Sequence, residues 1–600
     1  MCGIVGFTGK KNLSKLSSLL VRIEHRGRDG RAMFYDRGIH LGMNRLAIID
    51  LSPNLYPMKY KQYRLIFNGE IYNYQDLKQE LIHQGISFST TSDAEVILPL
   101  FALYGLKAFD KLEGMFAICI YDRVRRRIIL ARDKSGEKPL YYMQGASGFV
   151  FASEMKVLLS FDTKKRKLNR GRLPQYLTQG FIYAPDTLVR EIKKIPPSSY
   201  VMYDIRRKTL TGKEYWEPVR HFTFLKNTEE GHVVDYLDAL LRDSVRLRLL
   251  ADVPVGCFLS GGVDSSLVTL FAAQQKRNMH TFSVSFPGYA RDDESHYASR
   301  VAKQLGTNHT VVRCTPQRVY ELFKNIGMLI DEPIVDPAFL PTLLMAEEAR
   351  KHVKVVLTGE GADELFGGYS RYMKQLVGES IRRKFPFMPH LSATIPIHQF
   401  QALSKTLQER YSAQGIWNTQ SLIRLLKGKV TMLFKHRYLQ TYAASNPLLS
   451  MQLADYRGYM AEQLLMKIDK STMAKNLESR APYLDSRIIS FAFGLPPSEK
   501  IRLTRGKYIL KKVAERYFPQ SFVWRSKHGF DVPLDDWFRK DLREFVYQSA
   551  DLVSTYNELF ITGYYEQIVS DHMKGTSNNA DKIWSMIVLT DWLTRHHIFI

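Results

Sequence analysis

The sequence predicts two domains, one of mixed α+β type followed by one of α/β type. The chain has 600 residues, more than a single domain usually holds. Up to residue 210 it shows short strands, turns and a few helices, as in "YRLIFNGEIYN" at 63–73. Between residues 230 and 357, buried strands alternate with helices, which is typical of a parallel sheet. The pattern beyond residue 370 is mostly helical.

A segment rich in proline and basic residues joins the two parts. It runs from 185 to 220 and includes "KKIPPSSY" and "WEPVR". Because proline punctuates regular structure, we place the boundary late in this segment. The predicted domains are residues 2–215 and residues 216–600.

The composition is that of an ordinary globular protein, with 45% hydrophobic and 24% charged residues. No apolar run has the length of a membrane span, and the first residues lack the features of a signal peptide. The four cysteines have no CxxC spacing, so the sequence indicates neither a disulfide framework nor a zinc site. We therefore expect a cytoplasmic protein with no membrane partner.

The net charge of +25 raises the alternative of a nucleic-acid-binding protein. Two basic clusters contribute to it, "RVRRR" at 123–127 and "KKRK" at 164–167. The first lies between two strand-like stretches, as a hairpin turn would, and the second lies in a linker-like region. Neither is interleaved with aromatic residues, so we expect no nucleic-acid partner.

A phosphate-binding loop is indicated by "LSGGVDSS" at 259–266, between a buried strand and a helix. Glycines allow close backbone approach to a phosphate, and a helix N-terminus supplies free N–H groups. Asp264 beside a phosphate makes sense if Mg²⁺ bridges the two. The alternative is a plain Ser/Asp helix cap with glycine in the turn. The candidate phosphate-contacting residues are Ser260, Gly261, Gly262, Asp264, Ser265 and Ser266.

A second acidic, glycine-rich loop is "LTGEGADELFGGY" at 357–369, which also follows a buried strand. Glu360, Asp363 and Glu364 place three carboxylates within five residues, which is unfavourable unless a cation or a reacting group organises them. Asp363 and Asp264 would suit one Mg²⁺, leaving Glu360 to contact substrate or act as a base. A solvated acidic turn is the alternative.

These two loops resemble the ATP-pyrophosphatase signature of the asparagine synthetase family. Further strings at 464–485, 505–514 and 525–538 resemble the same family. The resemblance implies adenylation of a carboxylate by ATP, release of pyrophosphate, and displacement of AMP by a nitrogen nucleophile. It implies that Lys507 stabilises charge on the phosphate during displacement. It also implies an adenosine site formed mainly by backbone groups of Leu259, Val284, Thr358 and Gly359.

The chain begins "MCGIVGF", which resembles the opening of the N-terminal nucleophile domain in glutamine-dependent members of this family. If Met1 is removed, Cys2 becomes the first residue and its thiol the nucleophile. Its own α-amine, which titrates near ~8, then accepts and returns the proton. This chemistry explains a cysteine at position 2.

Other pieces of that domain's glutamine pocket match in order, beginning with "HRGRDG" at 25–30. The resemblance implies that Arg45 binds the glutamine α-carboxylate and that Asn68 and Gly69 form the oxyanion hole. It implies that Glu70 and Asp93 accept the α-ammonium. The chain departs from the family pattern at Arg28, Met43, Asn44 and Tyr56. These departures put the geometry of the pocket rim in question.

The resemblance covers nearly the whole chain and implies an N-terminal αββα Ntn-hydrolase sandwich. It implies a parallel α/β ATP-pyrophosphatase domain with a helical C-terminal part, and a shielded ammonia passage between the sites. The expected reaction converts aspartate, glutamine and ATP to asparagine, glutamate, AMP and pyrophosphate. The expected cofactors are ATP and Mg²⁺, with no organic prosthetic group.

Two alternatives concern the reaction itself. Relatives with these domains amidate other carboxylates, in surface polysaccharides or peptide natural products, and the segment at 331–344, expected to line the acceptor side, does not distinguish them. A glutaminase partnered with a phosphoribosyl or sugar-phosphate transferase is the second alternative. The SGGVDSS loop argues against it, because those reactions need no adenylation. The sequence leaves the oligomeric state open, with a homodimer as one hypothesis.

Overall fold

The protein is described here by a computed structural model. It describes residues 2–600 apart from positions 54, 146–147, 163–165, 219–228, 290, 385–405, 413–414, 429, 431–438, 440–444, 504 and 527–531. Within the described ranges, no helix has both the length and the apolar character needed to span a membrane. The string "KHGF" at 527–530, part of the family-like segment 525–538, lies outside the described residues.

The first domain is built on two six-stranded sheets whose neighbouring strands pair antiparallel. One sheet has the strand order β10-β8-β9-β1-β3-β2, and the other has the order β12-β11-β7-β6-β5-β4. The strands are β1 Gly3–Thr8, β2 Gly30–Asp36, β3 Ile39–Arg45, β4 Met58–Tyr60, β5 Tyr63–Ile71, β6 Gly114–Asp122, β7 Arg127–Arg132, β8 Tyr141–Gly145, β9 Gly148–Ala152, β10 Lys193–Lys194, β11 Ser199–Asp204 and β12 Thr209–Glu214.

The two sheets pack face to face, with helices on their outer faces. Ile4 of β1 and Ile66 of β5 belong to the core between the sheets, whereas Val5 and Leu65 face outward into helix-packed cores. This alternation follows from the two-residue period of a strand. The result is the predicted αββα sandwich. Its α-helices are Leu13–Val21, Tyr74–His83, Ile97–Tyr104, Ala108–Lys111, Met155–Leu159 and Leu173–Gln179.

The second domain contains a five-stranded parallel sheet with the order β15-β14-β13-β16-β17. Its strands are β13 Val255–Phe258, β14 His280–Ser285, β15 Asn308–Arg313, β16 Val355–Leu357 and β17 Glu478–Arg480. The chain leaves β13 toward β14 on one side and later returns to β16 on the other. This reversal of strand order opens a crevice at the carboxyl ends of β13 and β16, where ligands of such sheets bind.

Helices surround this sheet and form most of the chain beyond residue 370. One of them, Tyr456–Leu464, has π-helical hydrogen bonding. The α-helices are Glu230–Arg248, Val263–Gln275, Ser295–Leu305, Pro316–Phe323, Ile326–Ile330, Phe339–Ala349, Ala362–Phe366, Ser370–Lys384, Leu407–Ser412, Thr419–Leu425, Pro447–Asp455, Leu465–Met473, Ser486–Gly494, Pro497–Lys500, Tyr508–Ala514, Gln520–Val523, Leu534–Arg539, Arg543–Ser554, Thr562–Met573 and Ala580–Arg595.

The structure confirms the predicted fold class and differs from the sequence interpretation in details. The helical stretch predicted at 316–330 is two helices, with a break at Lys324–Asn325. Strand β17 was not predicted, because three residues inside a family-like string give no periodic signal. The basic cluster at 123–127 forms the tight turn between β6 and β7, as expected. The boundary between 215 and 216 stays a prediction.

Candidate active sites

Cys2 lies immediately before β1, at the edge of the core between the two sheets. Its backbone N–H donates to Oδ1 of Asn68 at 2.9 Å, and its carbonyl accepts from Nε of Arg26 at 3.3 Å. Burial raises the pKa of the Cys2 thiol, which disfavours its thiolate form. A nucleophilic role therefore requires a base beside the sulfur, as an N-terminal amine on the same residue would be.

Asn68 and Gly69 lie on β5 beside Cys2, as the predicted oxyanion hole requires. Because Oδ1 of Asn68 accepts from Cys2, its Nδ2 faces elsewhere, and this buried amide nitrogen has no hydrogen-bond partner among the described residues. An unpartnered buried donor is costly unless a ligand satisfies it. Gly69 has φ of +154°, and a Cβ there would meet the carbonyl oxygen of Met115 at 2.0 Å. The backbone thus requires glycine at this position of the predicted oxyanion hole.

Arg45 closes β3 and is half-buried near the same pocket. Its guanidinium donates to the backbone carbonyls of Asp50 and Ser52 and lies 6.0 Å from the centre of the Tyr56 ring. An incoming carboxylate would have to displace these carbonyls or share the guanidinium with them. Arg45 thus lies beside Tyr56, and its role as a carboxylate clamp stays a prediction.

Two of the other departures from the family pattern, Met43 and Asn44, have structural roles. Met43 belongs to the core between the sheets. Asn44 donates from Nδ2 to the carbonyl of Leu20 at 2.7 Å and accepts from Nε of Arg31 at 3.1 Å. Arg28 is exposed. None of the three contacts Cys2 or Asn68 by a hydrogen bond in the described part of the chain.

Glu70 and Asp93, the predicted partners of the α-ammonium, are both buried. Oδ2 of Asp93 accepts from the N–H of Ile71 at 2.7 Å. Burial raises the pKa of Asp93 to about 6, and burial together with the Asp93 charge raises the pKa of Glu70 well above its usual value. At both carboxylates burial outweighs the nearby charge of Arg480, so a ligand ammonium bound here would favour their charged forms.

Sequence reasoning missed the residue that faces Glu70 from the other domain. Nη2 of Arg480, on β17, lies 3.3 Å from Oε1 of Glu70. Arg480 also donates from Nε to Oε1 of Glu478 at 2.6 Å and from Nη1 to the carbonyls of Arg248 and Leu250. Arg480 belongs to the family-like string at 464–485, so the sequence marked it as a residue of interest. Its contact with Glu70 could not be predicted, because it depends on how the two domains pack.

The phosphate-binding loop joins β13 to the helix Val263–Gln275, as predicted. Gly261 has φ of +81°, and a Cβ there would lie 2.6 Å from the N–H nitrogen of Ala298. The hydroxyls of Ser260 and Ser265 are 3.0 Å apart. The buried hydroxyl of Ser266 has no hydrogen-bond partner among the described residues. The loop thus combines a required glycine, a helix N-terminus and hydroxyl donors, which together suit a phosphate.

The predicted adenosine site lies beside this loop. The N–H of Leu259 donates to the carbonyl of Phe282 at 2.8 Å, and the N–H of Thr358 donates to the carbonyl of Arg480 at 2.9 Å. Backbone recognition at these two residues would therefore use their carbonyl oxygens. Val284 lies near the end of β14 and lines a cavity that Thr358 and Gly359 also line, and Gly359 lies against Ser265. Both residues are therefore placed as expected.

Lys507 forms an ion pair with each of the two predicted metal ligands, Asp264 and Asp363. Its Nζ lies 2.5 Å from Oδ2 of Asp264 and 2.8 Å from Oδ1 of Asp363. Burial opposes the charge on Lys507, but the two carboxylates outweigh it, so the pKa of Lys507 lies above its usual value. Gly368 permits this approach, since a Cβ there would meet Asp363 at 1.9 Å.

These residues fit a magnesium ion, although no group of three His, Cys, Asp or Glu side chains suited to a metal occurs in the described part of the chain. Oδ1 of Asp264 is buried and lacks a hydrogen-bond partner among the described residues, so it has a free acceptor position. Magnesium bound with a nucleotide commonly takes one or two protein carboxylates and completes its shell with phosphates and water. Asp264 and Asp363 would suffice.

Glu360 faces the same cavity, which has a volume of about 1270 Å³. Its Oε1 lies 3.4 Å from Nζ of Lys467, which also lies 3.6 Å from Oδ2 of Asp336. Burial opposes the charge on Lys467, yet Glu360 and Asp336 hold its pKa above the usual value. Lys467 was not singled out from the sequence, and Asp336 lies in the segment expected to line the acceptor side.

Comparison with known proteins finds a matching family for each half of the chain. The glutamine amidotransferase domain matches residues 1–216, and the asparagine synthase family matches residues 236–594. "Asparagine synthetase [glutamine-hydrolyzing] 1" of Bacillus subtilis is 34% identical, covering 99% of this chain and 96% of its own. "Putative asparagine synthetase [glutamine-hydrolyzing]" of Mycobacterium tuberculosis is 32% identical, covering 100% of this chain and 97% of its own.

Among solved structures, a B. subtilis glutamine phosphoribosylpyrophosphate amidotransferase is similar over 52% of this chain and 81% of its own. Its identity is 15% and its TM-score 0.29, so the family assignment rests on the sequence matches. Those matches extend over the domain that carries Cys2 and Asn68 as well as the domain that carries Asp264 and Lys507. The chain belongs to the family of glutamine-dependent asparagine synthetases.

Proposed function

We propose that the protein makes L-asparagine from L-aspartate, with glutamine as nitrogen donor and ATP as the activating substrate. The products besides asparagine are glutamate, AMP and pyrophosphate. The observation that carries the proposal is that Arg480 contacts both candidate sites, Glu70 by its guanidinium and Thr358 by its carbonyl. One chain thus holds a site suited to hydrolysing an amide directly against a site suited to activating a carboxylate.

At the first site, the thiol of Cys2 attacks the glutamine amide carbon after its proton passes to the α-amine exposed by removal of Met1. Nδ2 of Asn68 and the N–H of Gly69 donate to the oxyanion. Arg45 binds the α-carboxylate, and Glu70 and Asp93 bind the α-ammonium. Ammonia leaves, and water then releases glutamate from the thioester.

At the second site, the aspartate β-carboxylate displaces pyrophosphate from ATP and forms β-aspartyl-AMP. The hydroxyls and free N–H groups of the 260–266 loop bind the phosphates, and Asp264 and Asp363 would hold a Mg²⁺ that neutralises the leaving pyrophosphate. Ammonia attacks the acyl carbon, Glu360 accepts the excess proton, and Lys507 stabilises the charge on departing AMP.

Ammonia passes between the sites inside the protein in this proposal. In neutral water ammonia is mostly protonated and is then no nucleophile, so a shielded route preserves its reactivity. The buried contacts of Arg26 and Arg480 across the domain interface support such a route, since both guanidinium groups are almost fully shielded from solvent.

The identity of the acceptor is tested by measuring pyrophosphate release from ATP and glutamine with a series of carboxylates. Aspartate should support turnover, and a uronic-acid nucleotide sugar should not. Pyrophosphate release with the nucleotide sugar and none with aspartate would contradict asparagine synthesis and indicate that the protein amidates a sugar carboxylate.

Replacing Cys2 by Ala should abolish glutamine-driven synthesis and leave ammonia-driven synthesis within about twofold, because the second site is unchanged. Both rates are measured as asparagine formed, with glutamine or an ammonium salt as donor. The alanine variant of Cys119, a buried thiol outside the glutamine pocket, is the control and should retain both activities. Survival of glutamine-driven synthesis in C2A would remove Cys2 from the mechanism.

Replacing Asp264 or Asp363 by Asn should lower pyrophosphate release by about 10²-fold or more with either nitrogen donor, because each change removes a carboxylate from the phosphate end of the site. Glutamine hydrolysis should continue. The control is Asp243→Asn, which removes a surface carboxylate paired with Arg246 and Arg487. Unimpaired pyrophosphate release in both Asp264 and Asp363 variants would contradict the assignment.

Beyond the fall that protonation of the Cys2 α-amine causes below pH ~8, the glutaminase kcat/KM should fall more steeply as the pH drops below about 6. The charged form of Asp93, which exists above its pKa, binds the glutamine α-ammonium, and protonation removes that charge. The measurement is glutamine hydrolysis between pH 5 and 8. Asp93→Asn should have a low and flatter profile. A wild-type profile whose slope does not steepen below about pH 6 would show that Asp93 does not bind the ammonium.

A further inference from the structure

We propose that Asp469, in the ATP-binding domain, is a positioning residue for the nucleophile Cys2 and acts through Arg26. This inference rests on the proposed role of Cys2 in glutamine hydrolysis. It assigns to the second domain a part in the chemistry of the first.

The contact between the domains at this point is a bidentate ion pair. Nη1 of Arg26 donates to Oδ2 of Asp469 at 2.9 Å, and Nη2 donates to Oδ1 at 3.0 Å. The remaining nitrogen, Nε, donates to the carbonyl of Cys2 at 3.3 Å. Arg26 is 0% exposed, and the Asp469 side chain is 1% exposed. A single rigid guanidinium thus connects the carboxylate of Asp469 to the backbone of Cys2.

A guanidinium is planar, so the direction of any one N–H is fixed once two others are held. Asp469 holds both terminal nitrogens of Arg26, and Glu154 of the first domain holds only Nη1, at 2.9 Å. Without Asp469 the plane of Arg26 is free to turn about its contact with Glu154. The Nε–H would then no longer point at the Cys2 carbonyl.

The Cys2 carbonyl matters because Cys2 carries both reacting groups. Its backbone nitrogen, bonded to Asn68, becomes the proton-accepting amine, and its side chain carries the thiol. With the carbonyl fixed by Arg26 and the nitrogen fixed by Asn68, the peptide unit of Cys2 is held at both ends. A displacement of about 1 Å in such a group costs up to 10²-fold in rate.

The position of Asp469 on its helix links the two sites. It lies on the helix Leu465–Met473, which also carries Lys467. Lys467 contacts Glu360 in the ATP-site cavity, and Asp469, half a turn further on, contacts Arg26. The same helix therefore presents one charged side chain to each site.

The test compares Asp469→Asn with a matched variant, Glu462→Gln. Glu462 is an equally buried carboxylate of the second domain, and it pairs with Lys194 of the first at 2.8 Å. Both variants remove one buried charge from the domain interface, but only Asp469 reaches Cys2. Glutamine hydrolysis, its KM, and ammonia-driven asparagine synthesis are measured for the full-length chain.

We expect Asp469→Asn to lower kcat for glutamine hydrolysis by about tenfold or more, with KM for glutamine and ammonia-driven synthesis each within about twofold. Glu462→Gln should leave all three within about twofold. Arg26→Lys, which keeps the charge but cannot bond Asp469 and Cys2 together, should lower kcat as Asp469→Asn does. The double variant should be no slower than the slower single one.

Two results would overturn the proposal. One is an Asp469→Asn protein whose kcat for glutamine hydrolysis is unchanged. The other is an equal loss of hydrolysis and ammonia-driven synthesis in both Asp469→Asn and Arg26→Lys, which marks a structural role only. If Cys2→Ala itself retained glutamine hydrolysis, the proposed function would fail instead, and that result is read independently of Asp469.

Discussion

The buried guanidinium of Arg480 is the interaction on which the arrangement of the two sites depends. It pairs with Glu70 of the proposed glutamine pocket, and the carbonyl of the same residue accepts from the N–H of Thr358 in the proposed ATP-binding loop. Its other donors bind Glu478 and the carbonyls of Arg248 and Leu250. Strand β17, which carries it, is therefore both the last strand of the parallel sheet and, through Arg480, in contact with the proposed amide-hydrolysing site.

These contacts place charged groups in the buried domain interface, where each charge needs its partner. Arg480, Glu478 and Glu70 are all buried, and a charge in that setting is tolerated only with its partners in place. Removing one partner of a buried pair costs about 3–5 kcal/mol, whereas an exposed pair contributes about 1 kcal/mol or less. The domains consequently have a defined relative position, because a shift of either one would leave these charges unpaired.

Much of both sites was predictable from the sequence because their residues are local. The loop at 259–266 carries its glycines, hydroxyls and carboxylate in a single string after a buried strand, and Cys2, Asn68 and Asp93 stand in family-like strings. What escaped prediction is what folding brings together across the chain. Arg480 and Glu70 are far apart in sequence, as are Lys467 and Glu360, and no periodic pattern marks such pairs. The short strand β17 was not predicted for the same reason. Its three residues become a strand because they pair with β16, and they carry no strand pattern of their own.

In the proposed mechanism, the nitrogen released at Cys2 reaches the ATP site without entering the solvent. The most direct measurement supplies glutamine labelled with ¹⁵N in its amide together with an excess of unlabelled ammonium, and determines the label in the asparagine formed. A shielded transfer predicts that the product keeps the label of the glutamine despite the surrounding ammonium. Asparagine whose label matches the mixed pool of ammonia in solution would contradict the account.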